Sequence, residues 1–295
     1  MTHNRTRSEF DRALHTAIAR CGAPLCVGID PVAERMPEHL AGQDPSKAFA
    51  GFAEGIIEAV QPHAAAVKFQ SACYERYGAK GITALEAGVG HARDAGLAVI
   101  LDAKRGDIGI SAEHYAAAAA SMGVHAVTVN AYLGMETLEP YLEAGLAIFV
   151  LVRTSNPGSA DMQAVTLRSG GTLAMHVGRL VAELGQRRPG VHAVVGATQH
   201  DQATVLRAVM PGQLFLLPGL GAQGATIQDL LAFATHIEDV HSDPTQGLLP
   251  TASRSVIYPS ADAPGQAWAD RVANAASSLN QELVHAFSTA TNARD

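Results

Sequence analysis

Charged residues cluster in the stretch LDAKRGDIG, residues 101–109, directly behind the apolar run GLAVI. Asp102, Lys104, Arg105 and Asp107 all lie within six residues. A solvated turn rich in charge is one interpretation of this stretch. A functional site at the end of a buried strand is the other, and Lys68 favours it, because this lysine ends the preceding apolar run AAAVKFQ.

The spacing predicts an ordered row of charges. Side chains alternate along a strand, so Asp102 and Lys104 point the same way and Arg105 points the other way, as a surface or interface group. Lys68 on the adjacent strand would complete a Lys–Asp–Lys row, with Asp107 just beyond it. A self-neutralising cluster of buried salt bridges is the alternative, but such pairs often fail to recover their desolvation cost. We therefore interpret the row as a catalytic site.

The chemistry that suits this row is the loss of carbon dioxide. An ammonium group between carboxylates stays protonated, which makes it a poor Schiff-base nucleophile but a good proton donor to a carbanion. A fixed carboxylate pressed against a substrate carboxylate adds repulsion of roughly 4 kcal/mol at about 4 Å in an effective dielectric near 20. That repulsion disappears when CO₂ leaves. The row predicts decarboxylation, with Lys104 protonating the resulting carbanion.

A second group of residues suggests a phosphate site. Arg254 lies in PTASRSVIY, and Gln223 lies in the glycine-rich stretch LLPGLGAQG, residues 216–224. Three glycines of that stretch would let backbone amides approach a phosphate: Gly219, Gly221 and Gly224. Ser155, in RTSNPGS, could hydrogen-bond a planar amide or a nucleobase edge. Ordinary turns remain the alternative for both stretches.

Eight short apolar runs alternate with helical patterns and must position these residues. We expect strands at 24–30, 64–70, 97–104, 124–130, 146–155, 191–198, 213–219 and 248–258. Continuous apolar strands indicate a sheet covered on both faces, as parallel sheets are. Eight strand–helix units in roughly 250 residues predict an α/β fold, the parallel (β/α)₈ or TIM barrel, whose active site lies at the carboxyl ends of the strands. A doubly wound open sheet is the alternative, but no GxGxxG follows the first strand.

We expect one domain over residues 1–295. Its barrel core would span about 24–260, with additional helices at 6–20 and about 265–287. The stretch HSDPTQG, residues 241–247, is interpreted as an active-site or surface loop before the last strand.

Composition excludes several classes of protein. Of the 295 residues, 47% are hydrophobic and 17% charged, which excludes a disordered or fibrous chain. A net charge of −7 without a Lys/Arg block gives no support for a nucleic-acid or membrane partner. The polar N-terminus lacks a signal-peptide pattern, and the longest apolar run is too short to span a bilayer, so we expect a cytoplasmic protein. The three cysteines lack the spacing of metal ligands.

Taken together, DAKRGDIG, Lys68, RTSNPGS, PGLGAQG and the late Ser-Arg pair resemble the orotidine 5′-monophosphate decarboxylase family. The resemblance is to its longer bacterial form, which also carries VGIDP and VVGAT, and it runs from about Leu25 to Tyr258. The D-x-K-x-x-D motif alone is shared with related phosphosugar decarboxylases and synthases. The resemblance implies an enzyme of de novo pyrimidine biosynthesis that converts orotidine 5′-monophosphate to UMP and CO₂ without a metal or organic cofactor.

The resemblance also implies roles for individual residues. Lys68, Asp102, Lys104 and Asp107 match the family's Lys–Asp–Lys–Asp tetrad. Asp102 would face the substrate carboxylate, and Lys104 would donate the proton to C6 of the pyrimidine. Asp107 and Ile108 would complete the neighbouring site across a homodimer.

The remaining implied roles concern substrate binding. Asp30 and Lys68 would hold the ribose hydroxyls, and Ser155 would bind the pyrimidine amide. Gln223 and Arg254 would hold the 5′-phosphate. Asn130, at the end of the fourth strand, is a further candidate for the substrate pocket.

Two other functions remain open from the sequence alone. One is a metal-dependent relative that acts on a phosphorylated keto sugar. It would need an additional acidic ligand near the second strand, where this chain has Lys68, Phe69 and Gln70. The other is a non-catalytic, nucleotide-binding barrel, against which the complete tetrad argues.

Overall fold

The computed structural model of the protein describes residues 7–197, 200–220, 226–234, 245–260 and 266–292. Eight parallel strands form a closed barrel in chain order, which confirms the predicted fold class. The strands are β1 (Cys26–Ile29), β2 (Ala66–Gln70), β3 (Ala98–Arg105), β4 (Ala126–Val129), β5 (Ala147–Arg153), β6 (Val191–Val195), β7 (Phe215–Pro218) and β8 (Leu248–Ala252).

Helices surround this barrel. They are α1 (Glu9–Cys21), α2 (Pro45–Val60), α3 (Ser71–Glu75), α4 (Gly78–Asp94), α5 (Gly109–Met122), α6 (Glu139–Glu143), α7 (Ala160–Gln163), α8 (Leu173–Arg187), α9 (His200–Val209), α10 (Ile227–Leu231), α11 (Arg254–Ile257) and α12 (Trp268–Asn292). Short 3₁₀ turns occupy Ala33–Arg35, Ala131–Leu133, Met135–Leu138 and Pro157–Ser159. The helices begin where the sequence supplies a cap: Asp44 accepts a hydrogen bond at the start of α2, and Thr172 does so at α8.

The core has two layers, because each strand buries both of its faces. One layer lies between the strands and the outer helices, where α2 contributes Phe49, Phe52 and Ile56. The other lies inside the barrel and includes Ile100 and Phe149. Burial of most strand residues is what the continuous apolar runs of the sequence predict.

Helix α1 closes the amino-terminal end of the barrel. Phe10 is fully buried and meets Phe149 edge to face, with 5.3 Å between ring centroids. Asp11, which also caps the helix through Ser8, lies 3.0 Å from His192 Nε2 at the start of β6. The pKa of Asp11 is held below its ordinary value: burial would raise it, but the His192 side chain and the Ser8 hydrogen bonds outweigh that effect.

The last strand is shorter than the sequence predicted. We expected strand structure over 248–258, but β8 ends at Ala252 and residues Arg254–Ile257 form the helical turn α11. The physical reason is the backbone of Ser253, whose φ of −119° and ψ of −87° end the extended conformation. Of the expected loop at 241–247, residues 241–244 lie outside the described part of the chain, and Thr245–Gly247 lead directly into β8.

Candidate active site

Four charged side chains form a row at the carboxyl ends of β1, β2 and β3. Lys68 Nζ lies 2.8 Å from Asp102 Oδ2, and Lys104 Nζ lies 2.6 Å from Asp102 Oδ1. Asp30 Oδ1 lies 3.9 Å from Lys68 Nζ. The structure therefore brings together the two lysines and two of the carboxylates that the sequence singled out.

The strand register explains this arrangement. Gly28 of β1 pairs with Lys68, and Gln70 of β2 pairs with Asp102. Neighbouring parallel strands thus deliver their polar ends to the same side of the barrel mouth. Gln70 Nε2 is a further neighbour of Asp102, at 3.5 Å from Oδ2.

The centre of the row is buried and ionised. The side chains of Lys68 and Asp102 are 6% and 9% exposed, whereas that of Lys104 is 46% exposed. Burial would raise the pKa of Asp102, but Lys68 and Lys104 hold it well below its ordinary value. Burial would lower the pKa of Lys68, but Asp30 and Asp102 raise it above its ordinary value. Asp102 is thus a fixed negative charge with its positive partners already in place.

Thr128, on β4, is part of this site and was not predicted from the sequence. Its hydroxyl donates to Asp102 Oδ1 at 2.8 Å and accepts from the backbone amide of Lys104 at 2.9 Å. The one sequence signal for it was a hydroxyl among the apolar residues of AVTV, residues 126–129. Ser253 was also missed: it lines the cleft and packs so closely on Gly28 that a Cβ there would lie 1.9 Å from its Oγ.

The charged row forms one wall of a cleft of about 460 Å³. Opposite walls come from the segments after β5, β7 and β8, which supply Ser155, Gly219 and Arg254. Arg254 is exposed. Gly219 has a φ of 120°, a backbone conformation that side-chain-bearing residues rarely adopt. Gly221, Gln223 and Gly224 lie outside the described residues.

Three predicted residues do not line this cleft. Asp107 and Ile108 follow β3 on an exposed loop, where the Ile108 amide donates to Asp107 Oδ1 at 2.8 Å. Asn130 is exposed and caps the 3₁₀ turn after β4 through the amide of Tyr132. Arg105 does point away from the row: its guanidinium pairs with Glu75 and lies 4.9 Å from the centre of the Tyr115 ring.

A possible metal-ligand group occurs on the outer helices. Ligand atoms of Glu54, Glu58 and His91 lie within 4.8 Å of one another on α2 and α4. In the cleft, by contrast, each oxygen of the Asp102 carboxylate already faces a lysine ammonium group. Among the described helices, none combines the length and the apolar character needed to cross a bilayer.

The fold and the site define a class of protein: a (β/α)₈ barrel with an alternating lysine–carboxylate row at its mouth. A family model described as "Orotidine 5'-phosphate decarboxylase / HUMPS family" matches residues 23–238. The chain belongs to this family, which confirms the resemblance seen in the sequence.

Individual relatives are similar over nearly their whole length. The orotidine 5′-phosphate decarboxylase of Rhodopirellula baltica is 36% identical over 93% of this chain and 98% of its own. That of Deinococcus radiodurans is 43% identical over 79% of this chain and 84% of its own. The solved structure of Leishmania donovani OMP decarboxylase superposes with a TM-score of 0.77 and 31% identity, covering 94% of this chain and 98% of that one.

Proposed function

We propose that the protein decarboxylates orotidine 5′-monophosphate to UMP and CO₂ in de novo pyrimidine biosynthesis. The observation that carries this proposal is the row Lys68–Asp102–Lys104, in which Lys68 and Asp102 are buried and both Asp102 oxygens lie within 2.8 Å of an ammonium nitrogen. Membership in the family and the extended similarity to its decarboxylases support the same substrate.

The bond-breaking step follows from the charges. With the substrate carboxylate next to Asp102, two negative charges about 4 Å apart repel by roughly 4 kcal/mol at an effective dielectric near 20. Cleavage of the bond between C6 and the carboxylate releases CO₂ and leaves the electron pair on C6. Repulsion raises the energy of the bound substrate. As the bond breaks, the negative charge moves from the carboxylate to C6, where the Lys104 ammonium can neutralise it, so the repulsion from Asp102 is relieved and the barrier is lowered.

Lys104 would complete the reaction. Its Nζ lies 2.6 Å from Asp102 Oδ1. Because the substrate carboxylate would lie beside Asp102, a proton on this nitrogen would also lie close to the carbon from which CO₂ departs. Transfer of that proton to C6 forms the C–H bond of UMP and leaves a neutral amine. Since 46% of the side chain is exposed before substrate binds, the amine regains its proton from water after the product leaves.

The rest of the cleft suits the other parts of the substrate. Asp30 lines the cleft, and its carboxylate, with Lys68 beside it, is suited to a ribose hydroxyl. Ser155 would bind the pyrimidine amide. Arg254 and the Gly219 backbone would bind the 5′-phosphate, together with Gly221, Gln223 and Gly224. Asn130 remains a candidate at the edge of the pocket.

We further propose that the protein is a cytoplasmic homodimer with shared sites. Asp107 does not line the cleft of its own subunit, and apolar side chains are exposed beside it. Ile108 is 60% exposed, Ile110 68% and Tyr132 76%. Exposed apolar surface of this kind is typical of protein contacts. A second subunit would cover these side chains and bring Asp107 and Ile108 to the neighbouring cleft.

The decisive assay follows the ultraviolet absorbance of orotidine 5′-monophosphate with purified protein, with and without EDTA. We expect the substrate spectrum to convert to that of UMP, with no effect of the chelator, because the proposed steps use only side chains. Lys104→Ala should fold normally and lose nearly all turnover. Conversion that stops in EDTA would contradict the metal-free mechanism, and absence of conversion by folded dimer would contradict the substrate.

A further inference from the structure

The pairing between β3 and β4 is irregular at the catalytic row. Leu101 pairs with Val127, but the next pair is Arg105 with Val129, so β3 advances four residues while β4 advances two. Lys104 lies inside this bulge with a φ of 47°, in the left-handed region that residues with a side chain rarely adopt. A residue with a side chain is strained in this conformation, so contacts with neighbouring residues must stabilise it.

Thr128 lies opposite the bulge and contacts the Lys104 backbone inside it. It is 1% exposed, and its Oγ1 accepts the Lys104 amide at 2.9 Å. The same hydroxyl donates to Asp102 Oδ1 at 2.8 Å, the oxygen that also receives Lys104 Nζ at 2.6 Å. One side chain thus contacts both the backbone of the proton donor and the carboxylate beside it.

We propose that Thr128 is a positioning residue: its hydroxyl holds the β3 bulge so that Asp102 and Lys104 face the reacting carbon together. The inference rests on the proposed decarboxylase function. It goes beyond that function because it assigns the geometry of the proton donor to a neutral residue on the next strand.

Loss of the hydroxyl has a defined consequence. Without it the Lys104 amide and Asp102 Oδ1 each lose a partner, and Lys104 is free to relax to a negative φ. A shift of the ammonium nitrogen by about 1 Å would lower kcat by about 10- to 100-fold. Asp30 follows β1 and Arg254 begins α11, both outside the β3–β4 pair, so the binding of phosphorylated ligands should change by less than about threefold.

The test compares three variants with the wild type. Thr128→Val keeps the shape and removes the hydroxyl, whereas Thr128→Ser keeps the hydroxyl. The matched control is Thr137→Val, since Thr137 is also buried and donates to the Gly134 carbonyl at 2.7 Å, away from the cleft. The measurements are kcat, KM, the Kd for UMP and the midpoint of chemical unfolding.

We expect Thr128→Val to lose kcat while KM and the Kd for UMP stay near wild type, and Thr128→Ser to recover most of the rate. Thr137→Val should lose a similar amount of stability and keep its kcat. Wild-type kcat in Thr128→Val would overturn the inference while leaving the proposed function intact. If the wild type itself does not turn over, crystal structures of wild type and Thr128→Val decide: an unchanged Lys104 φ and Nζ position in the variant would overturn the inference.

Discussion

Replacing Lys68 by methionine tests whether the charged row is held in a low-dielectric interior. The change keeps the unbranched apolar part of the side chain and removes the ammonium group that lies 2.8 Å from Asp102 Oδ2 and 3.9 Å from Asp30 Oδ1. Asp102, with 9% of its side chain exposed, would then keep only Lys104, Thr128 and Gln70 as polar contacts among those described above.

The expected loss follows from the geometry. At an effective dielectric near 20, a 2.8 Å ion pair contributes roughly 6 kcal/mol of attraction. Removing the lysine also removes its desolvation cost, which is several kcal/mol for a buried ion. The net loss of unfolding free energy should be about 3 kcal/mol, which lowers Tm by roughly 5 °C for a chain of 295 residues.

The assay is urea unfolding followed by circular dichroism, with Lys80→Met as the control. Lys80 also pairs with a carboxylate, Asp44, at 2.5 Å, but its side chain is 63% exposed, so solvent screens the pair and its loss should change stability little. The wild-type advantage over Lys68→Met should shrink as pH falls below about 4. A carboxyl with a lowered folded pKa stabilises the fold above its unfolded pKa and loses that contribution as it is protonated.

Equal, small losses in Lys68→Met and Lys80→Met would refute the buried character of the row. A loss in Lys68→Met that persisted unchanged at pH 3 would refute its electrostatic origin, since packing alone would then account for it.

Three further outcomes are expected. Gly28→Ala should lower kcat/KM by about tenfold or more, because the new Cβ would lie 1.9 Å from Ser253 Oγ and displace Ser253 in the wall of the cleft. Unchanged kinetics would contradict that packing. Burial, with Arg93 nearby, lowers the pKa of His125 to about 4. Because the unfolded chain then binds a proton that the folded protein does not, the free energy of unfolding of the wild type should fall between pH 6.5 and pH 4, by on the order of 2 kcal/mol after solvent screening. His125→Gln should lack this pH dependence. Arg207→Met should cost about 3 kcal/mol or more in urea unfolding, since the buried guanidinium donates to four backbone carbonyls.

The barrel itself could be predicted because each of its strands is visible as a short pattern in the sequence. Each strand is a short apolar run buried on both faces, and eight such runs separated by helical patterns leave few alternatives. Strand ends were less predictable. The apolar residues Val256 and Ile257 continue the hydrophobic pattern of β8, but they belong to the helical turn α11 and are buried there. Hydrophobic pattern alone does not distinguish a short buried strand from a short buried helix.

The site was predicted in part, and for a reason that only half applies. Strand alternation placed Asp102 and Lys104 on one face, and both do reach the row. Lys104, however, arrives there through a bulge and a φ of 47°, not through regular alternation. Thr128 was missed for the same reason, because its role depends on a register shift between strands that no spacing within β3 reveals.

The charge balance of the row connects stability to the proposed reaction. Asp30, Lys68, Asp102 and Lys104 alternate in sign, so the row by itself is neutral and each of its charges has a partner. In the proposed reaction a substrate carboxylate adds one negative charge beside Asp102 that the row does not compensate. CO₂ leaves uncharged and the charge passes to C6, where it is neutralised by the proton of Lys104, which the amine then regains from water. UMP lacks that charge and would bind without this repulsion. In the proposed reaction, the charge pairing that stabilises the row therefore also makes the substrate carboxylate, rather than the product, the unfavourable occupant.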